Sequence, residues 1–344
     1  MLSMREFWNI VSISLCVQAQ ISQQLSDTGH TWNYDDGEND WSKNYPFCGG
    51  THQSPIDIYS NIKYDAALTP IQVVGYDSPG IDHFTLSNDG HSVKVSLPAT
   101  MYISSLKHKY TAVQLHLHWG DQKRPQGSEH TFNDRRFAAE LHILHYNSDK
   151  YVDSQTATAK EDGLAVLGIL LEVGSFNPTF ENIQKYLSQV AYKDQEVQIP
   201  AFSIRNLLPV TLNEYYRYNG SLTTPPCYPS VLWTVFRQPV KISQEQLFSL
   251  ETALFSSNVG DSIPQPMVNN FRQKQERAKR ELLASFKEDF TFPIAIAFIL
   301  GIFVIVAIII YIIRKRRARQ QSESRKRVMY AAAQKAEGTS SIEI

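Results

Sequence analysis

Gln114-Leu115-His116-Leu117-His118-Trp119-Gly120 alternates polar and apolar residues at the period of a β-strand with two unlike faces. Gln114, His116 and His118 project from one face. Leu115, Leu117 and Trp119 project from the other, which reads as core. Two imidazoles two residues apart on a strand converge on one point, which is how a sheet presents a pair of metal ligands. A single histidine on a strand is more often a hydrogen-bonded core residue. Two at this spacing leave both readings open, and the decision comes from other parts of the chain.

Around that stretch lie many short strand-like segments: His83–Leu86, His91–Leu97, Ala112–His118, Ala138–His145, Ala165–Glu172 and Val231–Val235. Turn signals such as Ser78-Pro79-Gly80 and Asn88-Asp89-Gly90 separate them. Helical patterns are few, with Phe180–Val190 and Ser243–Phe255 the best of them. The pattern predicts a mainly β domain with small peripheral helices. No repeat, low-complexity tract or Pro/Gly-rich linker divides residues 20–289, so one continuous domain is expected there.

The 344 residues carry a formal net charge of -1, which conceals an asymmetry. Residues 314–344 carry +6 and residues 1–19 are neutral, which leaves -7 on residues 20–289. Nucleic acid is therefore excluded as the main domain's partner. Residues 1–19 read as a signal peptide: Arg5 precedes the apolar run Phe7–Val17, and Val17-Gln18-Ala19 offers small residues for cleavage. Phe290–Ile313 is an uncharged apolar run of 24 residues, enough to cross a bilayer with some tilt. Arg314-Lys315-Arg316-Arg317 closes that run, so residues 314–344 are expected to be a basic cytoplasmic tail lying near anionic headgroups without folding. The chain thus reads as a single-pass type I protein of the plasma membrane. Within the span, Ala297 and Gly301 stand at the small-xxx-small spacing by which two such helices could associate as a homodimer.

Cys16 falls in the signal segment, leaving Cys48 and Cys227. In an oxidising compartment the pair reads as one disulfide, with two free buried thiols as the alternative. Asn219-Gly220-Ser221 is an N-glycosylation sequon, whereas Asn177-Pro178-Thr179 carries the forbidding proline.

A third histidine of the right kind stands in Glu140-Leu141-His142-Ile143-Leu144-His145, where Glu140 and His142 share a strand face and repeat the Gln114/His116 arrangement. If the two strands are neighbours, His116, His118 and His142 meet. Gln114 and Glu140 then stand ready to hold the outer ring N–H groups that ligating imidazoles must place. Three neutral nitrogens leave zinc an open fourth position, the layout of a catalytic site rather than a structural one.

At this point the chain resembles an α-class carbonic anhydrase, most of all the family's membrane-anchored extracellular isozymes. The resemblance runs from about Trp32 to Phe286. It is carried by Gln53-Ser54-Pro55-Ile56-Asp57, Asn88-Asp89-Gly90-His91, Gln114–Gly120, Gly127-Ser128-Glu129-His130, Ala139–His145, Gly163–Gly168 and Ser221-Leu222-Thr223-Thr224-Pro225-Pro226. It implies a large central, mostly antiparallel twisted sheet with short peripheral helices. It also implies zinc on His116, His118 and His142, and the interconversion of carbon dioxide and bicarbonate. Thr223 matches the residue that orients the nucleophile, Glu129 the carboxylate that accepts the threonine's hydrogen bond, and Thr224 a bicarbonate contact. Leu144, Val166, Val231, Leu222 and Trp233 match the apolar wall that receives carbon dioxide, with Leu144 standing where valine is more usual. His91 matches the proton shuttle and Tyr34 a residue that orders its water. Beside them, Asp89 and Lys94 occupy positions that are asparagine in the best-studied relatives, so these opposite charges are expected to alter the shuttle.

His130 and His145 match buried structural positions. Cys48 and Cys227 match the extracellular isozymes' disulfide. Phe271–Lys287 would pass for a charged stalk helix, but its end, Ala284-Ser285-Phe286-Lys287, matches the family's C-terminal stretch, which implies that the run belongs to the domain.

The expected activity is zinc-dependent carbon dioxide hydration at the extracellular membrane face, near bicarbonate or proton transporters. The rival is a non-catalytic carbonic-anhydrase-like binding or adhesion ectodomain. Such domains typically lack a zinc histidine, and all three are present here.

Overall fold

A computed structural model describes residues 32–34, 38–59, 62–287 and 291–339, the side chains of 38–39, 291–300 and 334–339 excepted. The predicted signal segment lies outside the described residues. Two compact units divide the chain, Met1–Phe286 and Lys287–Ile344.

The first unit is built on one 13-stranded mixed sheet. Its main path runs Glu196–Pro200, His83–Asn88, Val93–Ser96, Tyr110–Trp119, Ala139–Asn147, Leu164–Val173, Val231–Phe236, Tyr215–Gly220, Leu282–Ala284 and Ile62–Tyr64. Antiparallel pairs predominate, and parallel pairing enters where Leu164–Val173 meets Val231–Phe236 and Val240–Ile242, and where Leu282–Ala284 meets Ile62–Tyr64. The run expected to pass for a stalk helix therefore ends as a strand inside the sheet. Helices are short and peripheral. The predicted Phe180–Val190 helix is two pieces, α-helical Glu181–Gln184 and 3-10 Leu187–Val190. Gln244–Ala253 forms as expected behind a capping box, with Ser243 accepting from the Gln246 amide and Gln246 reaching back.

Alternation sorts the strands' side chains onto two cores. Leu115, Leu117, Trp119, Leu141, Ile143, Leu167 and Ile169 fill one face. Val166, Leu170, Val231, Trp233, Tyr216 and Tyr218 fill the other. Leu164–Val173 is buried on both sides for most of its length, and its near-unbroken apolar sequence follows from that.

Cys48 and Cys227 are joined across 179 residues, under a cover that includes Trp41, Trp32 and Tyr34. Chain-entropy reasoning caps the effect of so long a loop at about 5 kcal/mol. We expect a Cys48→Ser, Cys227→Ser double variant to lose about 2–5 kcal/mol in urea unfolding. A loss below about 1 kcal/mol would show that the aromatic cover holds this end of the domain unaided.

The second unit contains one helix, Thr291–Thr339. Residues 314–339, expected to stay unfolded, continue it: Arg, Lys, Gln and Ala dominate there, all good helix formers, with no proline to break the run. Among the described residues no helix is long and apolar enough to cross a membrane. The predicted span, Phe290–Ile313, falls partly outside the description. It is helical from Thr291 onward, and the side chains described within it, Gly301–Ile313, are apolar and exposed.

Candidate functional site

Tyr110–Trp119 and Ala139–Asn147 are antiparallel neighbours, with His142 opposite His116 and Glu140 opposite His118. The register brings the three predicted ligands together: one nitrogen from each of His116, His118 and His142 lies within 4.8 Å of the others. They stand at the wall of a cavity of about 320 Å³.

Each ring's other nitrogen is committed. His116 Nδ1 lies 3.0 Å from Gln114 Oε1, His118 Nδ1 donates to the Asn270 carbonyl at 2.7 Å, and His142 Nε2 donates to Glu140 Oε1 at 2.8 Å. A carbonyl and a carboxylate only accept, so those nitrogens carry the protons and the inward ones carry lone pairs. Burial, with the neighbouring imidazoles, holds His116 well below the usual histidine range, and burial likewise lowers His118. His118 Nε2 and His142 Nδ1 nonetheless stand only 3.1 Å apart. Two lone pairs at that distance repel unless a cation sits between them. The donor set fits a divalent metal that takes imidazole nitrogen, with a fourth position left open.

Glu140 is fully buried, where desolvation works against its charge. It stays ionised, well below the carboxylate range, because it accepts from His142, from His130 Nδ1 at 2.7 Å and from the His130 amide at 2.7 Å. Gly168 makes room for it: a Cβ there would stand 3.2 Å from Glu140 Oε1. His130, fully buried, continues outward through Tyr218 Oη at 2.7 Å. Trp233 packs edge-on against both His130 and His142, each at 4.8 Å, and donates its indole N–H to the Ser221 carbonyl. His145 is on the opposite face, 2.5 Å from Tyr76 Oη, and burial brings it down to about 4.

Glu129 is fully buried behind the triad. Its Oε1 accepts from the Arg272 amide at 2.8 Å, whereas Oε2 is buried without a hydrogen-bond partner, 3.6 Å from His118 Nε2 and 3.8 Å from His142 Nδ1. Thr223 lines the cavity, but no hydrogen bond joins it to Glu129 here. Ser54 and Ser221 bond each other's amides through their hydroxyls, which anchors the loop that carries Thr223 and Thr224.

Of the expected apolar wall, Leu144, Val166, Leu222 and Trp233 line the cavity. Val231 does not; it is buried in the core just behind them. At the rim, His91 lies flat on Trp32, with ring centroids 3.8 Å apart and planes within 7°, and Tyr34 meets it edge-on at 6.5 Å. Asn219 is exposed on its strand.

Three residues escaped the sequence reading. Asn270 supplies His118's carbonyl partner, and its side chain clamps the same strand: Oδ1 accepts from the Trp119 amide, and Nδ2 donates to the carbonyls of Leu117 and His91. Arg272 is buried, and its guanidinium donates to Cys48 O, Gln53 Oε1 and Ser54 O while its amide holds Glu129. Trp32 supplies the platform for His91. A backbone carbonyl has no signature in side-chain identity, so only the long-range fold reveals the first.

The family model for eukaryotic-type carbonic anhydrase matches residues 36–286. Carbonic anhydrase 12 of Homo sapiens is 48% identical over 341 residues, covering 95% of this chain and 96% of that protein. Carbonic anhydrase 7 of Mus musculus is 39% identical, covering 75% of this chain and 98% of its own. Carbonic anhydrase 6 of Bos taurus is 37% identical, covering 75% and 81%.

Proposed function

The chain belongs to the eukaryotic-type carbonic anhydrase family and is a carbonic anhydrase in activity, and from that premise we propose that it hydrates carbon dioxide reversibly with zinc on the outer face of a membrane. The single observation that carries the zinc assignment is the pair of facing lone pairs on His118 and His142, 3.1 Å apart, with His116 converging on them.

His116, His118 and His142 would hold the ion, and Gln114, Glu140 and the Asn270 carbonyl fix the tautomer and direction of each ring. When bound, zinc supplies a nucleophile at neutral pH by lowering the pKa of water, an effect for which carbonic anhydrases are the reference case. Glu129 is acceptor-only, and its buried Oε2 has no donor among the described residues, so it accepts a hydrogen bond from the Thr223 hydroxyl. The threonine oxygen then faces the cavity as an acceptor and orients the attacking group. Thr224 contacts bicarbonate. Leu144, Val166, Leu222 and Trp233, backed by Val231, offer carbon dioxide an apolar surface. His91 accepts the proton released in each cycle and passes it to solvent, with Tyr34 ordering the water between.

The apolar run before Arg314 anchors the enzyme, residues 1–19 direct it to the secretory route and Asn219 carries a glycan. The Cys48–Cys227 disulfide supports the outer-face reading, since such bonds persist in oxidising compartments. Supply or removal of bicarbonate and protons beside transporters follows from that position, and self-association of the span through Ala297 and Gly301 would make a homodimer. The test is metal analysis and carbon dioxide hydration of the purified full-length protein. One zinc per chain with hydration above the buffer rate is expected. A metal-free protein with no hydration would favour the non-catalytic binding ectodomain.

A further inference from the structure

The cavity rim carries two charges that the reaction above does not use. Asp89 and Lys94 line the same cavity as His91 and the triad. Asp89 Oδ1 accepts from the amides of His91 at 2.9 Å and Ser92 at 2.8 Å, closing the turn that carries the ring. Its other oxygen pairs with the Lys94 ammonium, and both side chains are about one-third exposed, at 31% and 36%. Lys94 in turn sits opposite His116 in the strand register. The His91 carbonyl is taken by Asn270 Nδ2 at 3.0 Å. The backbone of His91 is therefore held at both its N–H and its C=O, while among the described residues its ring meets Trp32 face to face and Tyr34 edge-on.

We infer that the Asp89–Lys94 ion pair is a positioning device for proton exchange at His91: Asp89 fixes the backbone beneath the ring, and the two opposed charges set the field in which the ring takes and releases its proton. This rests on the reading of His91 as the proton-exchange group and deepens it.

The charged groups acting on the ring are Asp89, Lys94 and Lys193, the last lying with its stem over Gly90. Burial lowers His91 from its ordinary value; Asp89 pulls it back up, and Lys94 and Lys193 push it down. The signs predict a crossed pattern. Asp89→Asn keeps an oxygen to cap the His91 amide but removes the charge that favours the imidazolium, so His91 should titrate lower. Lys94→Met keeps the stem and removes a repelling charge, so His91 should titrate higher. Each shift should be on the order of half a pH unit at low salt, and the double variant should return close to wild type. Asp89→Ala removes the cap as well, and should lower kcat across the whole pH range without moving KM.

The measurement is an NMR pH titration of 13C-histidine-labelled full-length protein, with His91 assigned by His91→Ala, beside kcat–pH profiles of the same variants. Opposite shifts in the single variants, cancelling in the double, support the pair's role. Shifts of the same sign, no shifts, or an Asp89→Asn profile indistinguishable from Asp89→Ala overturn it. The titration needs no turnover, so the two readings fail separately. Crossed shifts in a protein that hydrates no carbon dioxide sink the proposed function alone. Intact hydration that His91→Ala weakens and added imidazole restores, with the titration unmoved by the pair, sinks this inference alone.

Discussion

His118→Ala is expected to leave a folded protein that retains no zinc and hydrates carbon dioxide at least about 10³-fold more slowly. The magnitude follows from a graded argument. Loss of a group that merely holds a ligand's outer N–H costs about 10–100-fold in metal affinity, the effect expected of Glu140→Gln. Removal of the ligand itself takes away one of three bonds and opens a space beside the fully buried Glu129. The fold should survive, because His118 projects from the cavity face while Leu115, Leu117 and Trp119 fill the core behind it. Metal content, hydration rate and far-ultraviolet circular dichroism on one preparation check all three parts. Retained zinc with undiminished hydration would place the metal elsewhere.

Glu129→Gln carries the second large effect, a fall in kcat of about 10²–10³-fold with zinc content and KM unchanged. The glutamine still offers an oxygen to the Arg272 amide, so the local structure is kept. Its amide nitrogen, however, replaces the buried acceptor Oε2 with a donor. A donor cannot accept the Thr223 hydrogen bond, and the hydroxyl turns its proton toward the cavity, where an acceptor is required. Thr223→Ala in the same background should add little, since the two residues act as one unit. Additive losses, or kcat within about threefold of wild type, would detach Thr223 from Glu129.

Much of this architecture is legible in the sequence because a strand's period is short and strict. Gln114, His116 and His118 face one way by alternation alone, and Glu140 with His142 repeats the pattern one strand over. Leu144 and Val166 read equally well as core, and only their register opposite each other, beside the triad, makes them a wall. Asn270 and Arg272 show no pattern at all. Their contributions are a carbonyl and an amide, which every residue but proline possesses, delivered across 152 and 143 residues of chain. The basic tail departs from expectation for the opposite reason. Charge density suggests an unfolded segment, but the helix propensity of Arg, Lys, Gln and Ala extends a helix already begun at Thr291.

The lateness of Asn270 and Arg272 bears on how the enzyme is made. A chain synthesised from its N-terminus presents His116, His118 and His142 well before the residues that orient His118 and anchor Glu129 exist. Until then His118 lacks the carbonyl that fixes its ring, and the three histidines should bind metal more weakly than in the finished domain. On the proposed zinc site, metal loading would belong to the last stage of folding, after almost the whole of the first unit has been delivered. A chain truncated before Asn270 should emerge with its three histidines complete and its metal affinity lowered by at least about 10–100-fold.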